Sequence, residues 1–270
     1  MASLTMGIDL AAQPKETAVC LLAWDGGGGP RLVSLRRGES ESGTTFHDKW
    51  LATTAAGIQN EYEVPITKVG IDDPFGWPVP FLDAMESYRS APVWPTTIDE
   101  SRDLFRLRET DRVVHARTGR WPLSVTADRI AIPAMRCAVL LSYIAQHHGA
   151  DAVARDGSGR CCEVYPDPAL RFWTDGVLGQ RESYKKAINA PRRIALLEAM
   201  IERLPIDDPE NHLAAIERED DYLDALACAL VARAAEVGQT HLPEGDQARL
   251  AQTEGWIHLP CRPVRELATD

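Results

Sequence analysis

Short apolar runs of strand length occupy the first quarter of the chain, and segments of helical period dominate the remainder. Residues 6–11, Met6-Gly7-Ile8-Asp9-Leu10-Ala11, read as a buried strand. Residues 17–24 form a second such run and 31–35 a third. Between the last two, Asp25-Gly26-Gly27-Gly28-Gly29-Pro30 predicts a hairpin turn. It does not read as a phosphate loop, because no Lys-Ser/Thr comes after it and the next element is a strand, not a helix. The three runs therefore predict an antiparallel meander. Thr44 or Thr45 caps a predicted helix through Trp50, Leu51 and Ile58 towards Tyr62. Residues 66–74 then form a further strand, stopped by Pro74, which a crossover lets lie parallel to the first.

The pattern changes after residue 79. Helical segments near 79–90, 99–118 and 127–148 are joined by loops rich in Pro and Trp, such as Ala91-Pro92-Val93-Trp94-Pro95. Strand character resumes at Cys161-Cys162-Glu163-Val164-Tyr165-Pro166, and Asp167 is a candidate cap for a helix through Ala169, Leu170 and Trp173. A basic, polar segment containing Lys185, Lys186 and Arg192 leads into an amphipathic helix over 191–204, with Ile194, Leu197, Ile201 and Leu204 on its apolar side. The last long helix is predicted from about His212. It carries Asp220, Asp221 and Asp224 beside a run of Ala and Leu suited to close packing on a sheet. These elements predict one α/β domain over 1–270, with a mixed sheet (a three-strand antiparallel meander plus parallel strands) flanked by helices, and a helical insertion at about 79–160.

Composition narrows the function classes. At 270 residues the chain has ample capacity for a core, and its formal charge of -11 argues against broad, non-specific nucleic-acid binding. The longest apolar stretch, 130–145, is interrupted by Pro133 and Arg136 and is too short to span a bilayer. Six cysteines without a CxxC pair and no signal peptide suit reduced thiols, so a soluble, cytoplasmic protein is expected. Structural zinc is disfavoured by the Cys and His spacing. Seven arginines lie between Ser101 and Arg129, diluted by six acids in and just before that stretch. The default is a solvated, salt-bridged face. A phosphate-binding surface, with Arg108, Arg112 and Arg129 as candidates, is the functional reading.

The acids form the more informative set. An Asp inside a strand is costly unless paired, so Asp9 needs a reason. A turn cap would supply one. Asp72, with Asp73 beside it, ends a second strand, and Glu163 lies on a third. Asp221 and Asp224 are three apart, and Asp220 and Asp224 four apart, on one helix. If these elements neighbour one another, the carboxylates converge. Hard divalent ions such as Mg2+ or Mn2+ take carboxylate oxygens, and two such ions about 4 Å apart support phosphodiester cleavage with no side-chain nucleophile.

The motifs Gly7-Ile8-Asp9-Leu10-Ala11, Gly70-Ile71-Asp72-Asp73-Pro74, Glu163-Val164-Tyr165-Pro166 and Asp220-Asp221-Tyr222-Leu223-Asp224-Ala225-Leu226 resemble those of the predicted nuclease family called domain of unknown function 429. That family is assigned to the ribonuclease H-like superfamily, which includes Holliday-junction resolvases. Arg108-Glu109-Thr110-Asp111-Arg112 and Glu254-Gly255-Trp256-Ile257 look like further family features. The resemblance implies a ribonuclease H-like fold and a metal-dependent nuclease working by a two-metal-ion mechanism on structured or single-stranded nucleic acid, DNA or RNA. Asp9, Asp72, Asp221 and Asp224 would be its catalytic metal ligands, with Glu163 a further candidate ligand. The alternative is a non-catalytic nucleic-acid or protein-interaction scaffold of the same fold. An actin-like ATPase or kinase, which also opens on Gly-Ile-Asp, lacks here the second glycine-rich loop and the duplicated core it needs.

Overall fold

The computed structural model describes residues 2–26, 28–38, 48–58, 64–91, 94 and 103–268. Its centre is a five-stranded mixed sheet in the order β3-β2-β1-β4-β5. Strands β1 (Ser3–Asp9), β2 (Ala18–Trp24) and β3 (Arg31–Arg37) form the antiparallel meander. Strands β4 (Ile66–Asp72) and β5 (Cys161–Glu163) continue it in parallel. This topology is the mixed α/β arrangement expected, and it is consistent with a ribonuclease H-like fold. No helix among the described residues is long and apolar enough to cross a membrane.

Each face of the sheet builds its own core. Side chains alternate between faces along a strand, and Met6 and Ile8 of β1 with Val69 and Ile71 of β4 pack on helices α1 (Asp48–Ala55) and, further along the chain, Ala131–His148. The other face, through Cys20, Leu22 and Cys162, packs on helices Pro166–Trp173, Ala190–Arg203 and Asp220–Glu236. In chain order the helices described are α1, α2 (Val79–Ser90), α3 (Glu109–Thr118), α4 (Ala131–His148), α5 (Pro166–Trp173), α6 (Ala190–Arg203), α7 (Asp220–Glu236) and α8 (Asp246–Glu254). Helices α2, α3 and α4 form the insertion between β4 and β5.

Several boundaries differ from expectation for local reasons. The predicted caps Thr44 and Thr45, Tyr62 and most of the 91–95 loop lie outside the described residues. Helix α3 starts only at Glu109, because Arg108 is extended and its N–H donates to the Asp111 carboxylate at 2.9 Å. Asp167 is inside the first turn of α5, whose preceding residue is Tyr165. The final helix does not start at His212. A 3-10 turn covers His212–Glu217, Glu219 is extended, and α7 begins at Asp220. Helix α8 had no counterpart in the sequence pattern.

One packing contact decides where α7 lies. Gly7 of β1 and Gly70 of β4 are register partners at the middle of the sheet. A Cβ on Gly7 would sit 2.0 Å from the Ala225 carbonyl oxygen and 2.3 Å from the Ala229 nitrogen, and one on Gly70 would sit 2.3 Å from the Cys228 oxygen. The helix therefore rests on bare strand backbone, through Ala225, Cys228 and Ala229, with no room for a methyl group. Replacing Gly7 by Ala should force the helix off the strand and cost about 2 kcal/mol or more, the scale of overpacking. Urea denaturation of Gly7→Ala reads this directly, and a midpoint equal to that of the parent chain would contradict the contact.

Candidate functional site

The same contact gathers three carboxylates. Asp9 and Asp72 are register partners, each two residues beyond its glycine and so on the same face of the sheet. Asp224 immediately precedes Ala225. One oxygen from each of Asp9, Asp72 and Asp224 lies within 4.8 Å of the others, with Asp9 and Asp72 half-buried and Asp224 fully buried. Opposite ligands of an octahedral Mg2+ are separated by about 4 Å, so small side-chain rotations would close this set around such an ion. The donor set is all carboxylate, the chemistry that a hard divalent cation takes.

Two neighbours attend Asp224. The Tyr184 hydroxyl donates to its Oδ1 at 2.6 Å, and the Lys185 ammonium donates to Oδ2. Both come from the loop before α6, and a buried arginine holds that loop. Arg193 donates to the carbonyls of Tyr184, Lys186, Ile216 and Glu217 at 2.7 to 2.9 Å. Lys186 is kept at a φ of 73° by that bond and by the 2.9 Å bond from its own N–H to Asp220. The basic character of this segment was visible in the sequence, but nothing in its spacing tied Lys185 to an acid 39 residues later.

The titration of Asp9 and Asp72 is set by burial against Lys185. Burial raises Asp9 well above the carboxylate range; Lys185 opposes this, and Asp72, Asp221 and Asp220 add to it. Burial likewise pushes Asp72 up to about 7, against Lys185 and with help from Glu163. Asp73 is pushed up to about 10, by burial first and then by Asp72 and Glu163. Both of its oxygens are buried without a hydrogen-bond partner among the described residues.

The other expected site residues have different surroundings. Asp221 sits one turn nearer the start of α7 and is ion-paired with Arg37 at 2.5 Å. Glu163 is the register partner of Ile71, not of Asp72, which puts its side chain on the opposite face from Asp72. There it accepts the Phe75 N–H at 2.9 Å and meets Arg108, a residue only 1% exposed. Arg108 directs all five of its donors internally, to Asp111, to Glu163 and to the Glu254 carbonyl. The Glu254 carboxylate in turn accepts the N–H of Val79 at 2.8 Å and of Glu109 at 2.7 Å, satisfying the starts of α2 and α3. Arg112 is directed at the Asp103 carbonyl. Arg129 is exposed, lines the cavity over the acids, and has no carboxylate partner among the described residues. That cavity, about 410 Å3, has Asp9 and Asp72 in its lining, with Lys185, Arg120, Trp121 and Arg129 around them.

The chain belongs to the family described as protein of unknown function, DUF429, whose model matches residues 7–248. The match spans Gly7, all three clustered carboxylates and Arg108, and it stops before the 254–257 tail that resembled a family feature. No curated protein and no solved structure matches the chain.

These surroundings fix how stability should respond to pH and to loss of an ion pair. Asp72 holds its proton up to about pH 7 in the fold but only to about 3.9 when unfolded. The native state therefore binds more protons across that window, and stability falls as pH rises through it. Without divalent cation, Asp72 alone should lower the melting temperature by about 3 °C per pH unit between pH 5 and about 7, and Asp9 and Asp73, whose protons burial also holds, should steepen the fall. Asp72→Asn should remove its own share of the slope, and saturating Mn2+ should reduce it further. A flat profile for the parent chain in chelator would refute the buried-acid account. Arg108→Ala leaves Glu163 and Asp111 buried and uncompensated and should cost about 3–5 kcal/mol, whereas Arg129→Ala should leave the denaturation midpoint unchanged.

Proposed function

We propose that this DUF429 protein is a divalent-cation-dependent phosphodiesterase acting on nucleic acid, with Asp9, Asp72 and Asp224 as its cation ligands. The convergence of these three carboxylates within 4.8 Å, two from adjacent parallel strands and one from the helix packed on their glycines, carries the reading. Half-buried like charges so close together need a cation. When bound, Mg2+ or Mn2+ supplies an activated water and neutralises charge developing on a phosphate. Asp9, Asp72 and Asp224 would hold the ion, and Tyr184 fixes the Asp224 carboxylate. Lys185 offsets the negative charge of the cluster, and its side chain, 42% exposed, also faces the cavity, where a phosphate would enter.

Glu163 is read as a positioning residue. Through the Phe75 N–H and the Arg108 guanidinium it fixes the turn after Asp72. Asp221 contributes negative field to Asp9 from its pair with Arg37. Arg129 at the cavity rim is the cation best placed for a substrate phosphate, and Arg120, ion-paired with Asp167, supports the same wall.

The test is a cleavage screen over single-stranded, duplex and branched DNA and RNA with Mg2+ or Mn2+, together with Mn2+ titration by calorimetry. Asp9→Asn, Asp72→Asn and Asp224→Asn should each lower cleavage by about two orders of magnitude or more and weaken Mn2+ binding. Asp221→Asn should cost about tenfold, as expected for a group acting through its neighbours. Equal activity in the parent and all three variants would overturn the assignment. A protein that neither takes up Mn2+ nor cuts any substrate would instead be the non-catalytic scaffold.

A further inference from the structure

The wall of the cavity carries a feature that cation binding does not use. Trp121 lines the cavity that contains Asp9 and Asp72 while remaining 45% exposed. One face of its indole is stacked on the His115 ring, with centroids 3.8 Å apart and planes 9° from parallel. His115 belongs to α3, whose start is pinned by the Glu254 carboxylate and by the Asp111 cap. The Trp121 carbonyl also accepts the Tyr165 hydroxyl at 3.5 Å. An aromatic ring backed on one face, tethered through its backbone and left open to a cavity is a preformed surface for another flat ring. Arg129 lines the same cavity with no carboxylate partner among the described residues, so a ring and a phosphate can be held together.

We propose that Trp121 is a stacking platform for an unpaired nucleobase, so that the strand delivered to the acidic cluster is single-stranded at the point of entry. The proposal rests on the nucleic-acid reading of the site and narrows its substrate class. A cavity of about 410 Å3 lies in the range of small-ligand sites, about 300–1,000 Å3, and takes a nucleotide unit rather than a base-paired helix. The chain's charge of -11 points the same way. Duplex binding without sequence preference draws on counterion release by many basic contacts, and a chain this acidic is poorly equipped to make them. Base stacking gives affinity that is independent of net charge and tolerant of sequence.

The test uses the 270-residue chain silenced by Asp72→Asn, with Mn2+ present, and fluorescein-labelled oligothymidylate, oligouridylate and a blunt hairpin duplex followed by anisotropy. Single strands should bind more tightly than the duplex. Trp121→Ala in that background should weaken single-strand binding by about tenfold, while Trp121→Phe keeps most of it, and circular dichroism should show both variants folded. Arg129→Ala should reduce the salt dependence by about one counterion. Single-strand binding unchanged by Trp121→Ala, duplex bound as tightly as single strand, or no binding of either strand overturns the platform. The nuclease reading is judged separately, by cleavage with the parent chain. Trp121-dependent binding without cleavage removes the nuclease and keeps the platform, and metal-dependent cleavage indifferent to Trp121 does the reverse.

Discussion

The contact between helix α7 and the two strand glycines governs the rest of the structure. A helix normally stands off a sheet by the length of the side chains between them. Here Gly7 and Gly70 offer no side chain, and Ala225, Cys228 and Ala229 offer short ones, so backbone meets backbone. The consequence is chemical as well as steric. Asp9 and Asp72 lie two residues beyond those glycines on the same face, and Asp224 lies one residue before Ala225. Closing the helix onto the glycines therefore closes three carboxylates onto one another. The cluster's repulsion is offset by apolar packing along the remainder of α7, whose buried residues run from Leu223 to Ala234.

Two buried arginines divide the task of keeping that arrangement in shape. Arg193 works on the α7 side, holding four carbonyls so that Tyr184 and Lys185 reach Asp224. Arg108 works on the far side, joining Asp111, Glu163 and Glu254 and through them the starts of α2 and α3. Neither guanidinium is available to a substrate. Each acts through fork geometry that a lysine would not reproduce. Gly255 completes the second network, because at its φ of 87° a Cβ would lie 2.6 Å from a Glu163 oxygen.

Much of this was legible in the sequence where the signal was local. The meander, the parallel strand ending in Asp72 and the small-residue helix were all visible as runs and periods, and Asp9, Asp72 and Asp224 were found from them. Positions that depend on register were not legible. Glu163 looked like a further ligand because it ends a strand, yet its partner in the ladder is Ile71, and an offset of one residue turns a side chain to the other face. Asp221 shares a helix with Asp224, but three residues of rise carry it about 4.5 Å along the axis and about 60° around it, to Arg37. Arg108 sat among seven arginines with nothing to mark it as the buried one. Lys185 and Glu254 act on partners remote in sequence, and no periodicity reports such a contact.

The two faces of the strand ends also divide the charge between them. On the α7 face the carboxylates are gathered and left short of positive charge, with one lysine against three acids, a set that could hold a metal ion. On the insertion side Glu163 and Asp111 are already matched by Arg108, and Arg120, Trp121, Leu123 and Arg129 line the cavity. Negative charge is thus concentrated where a metal would neutralise it, and the entrance is aromatic and basic. The net charge of the whole chain limits how many phosphates it can neutralise along a duplex, while the potential at the cavity entrance itself is set by the nearest groups, and not by the distant ones screened by salt. The insertion between β4 and β5 is the element that converts an acidic sheet edge into a walled cavity, held by the packing of α4 on the sheet and by the Glu254 and Arg108 networks at the starts of α2 and α3.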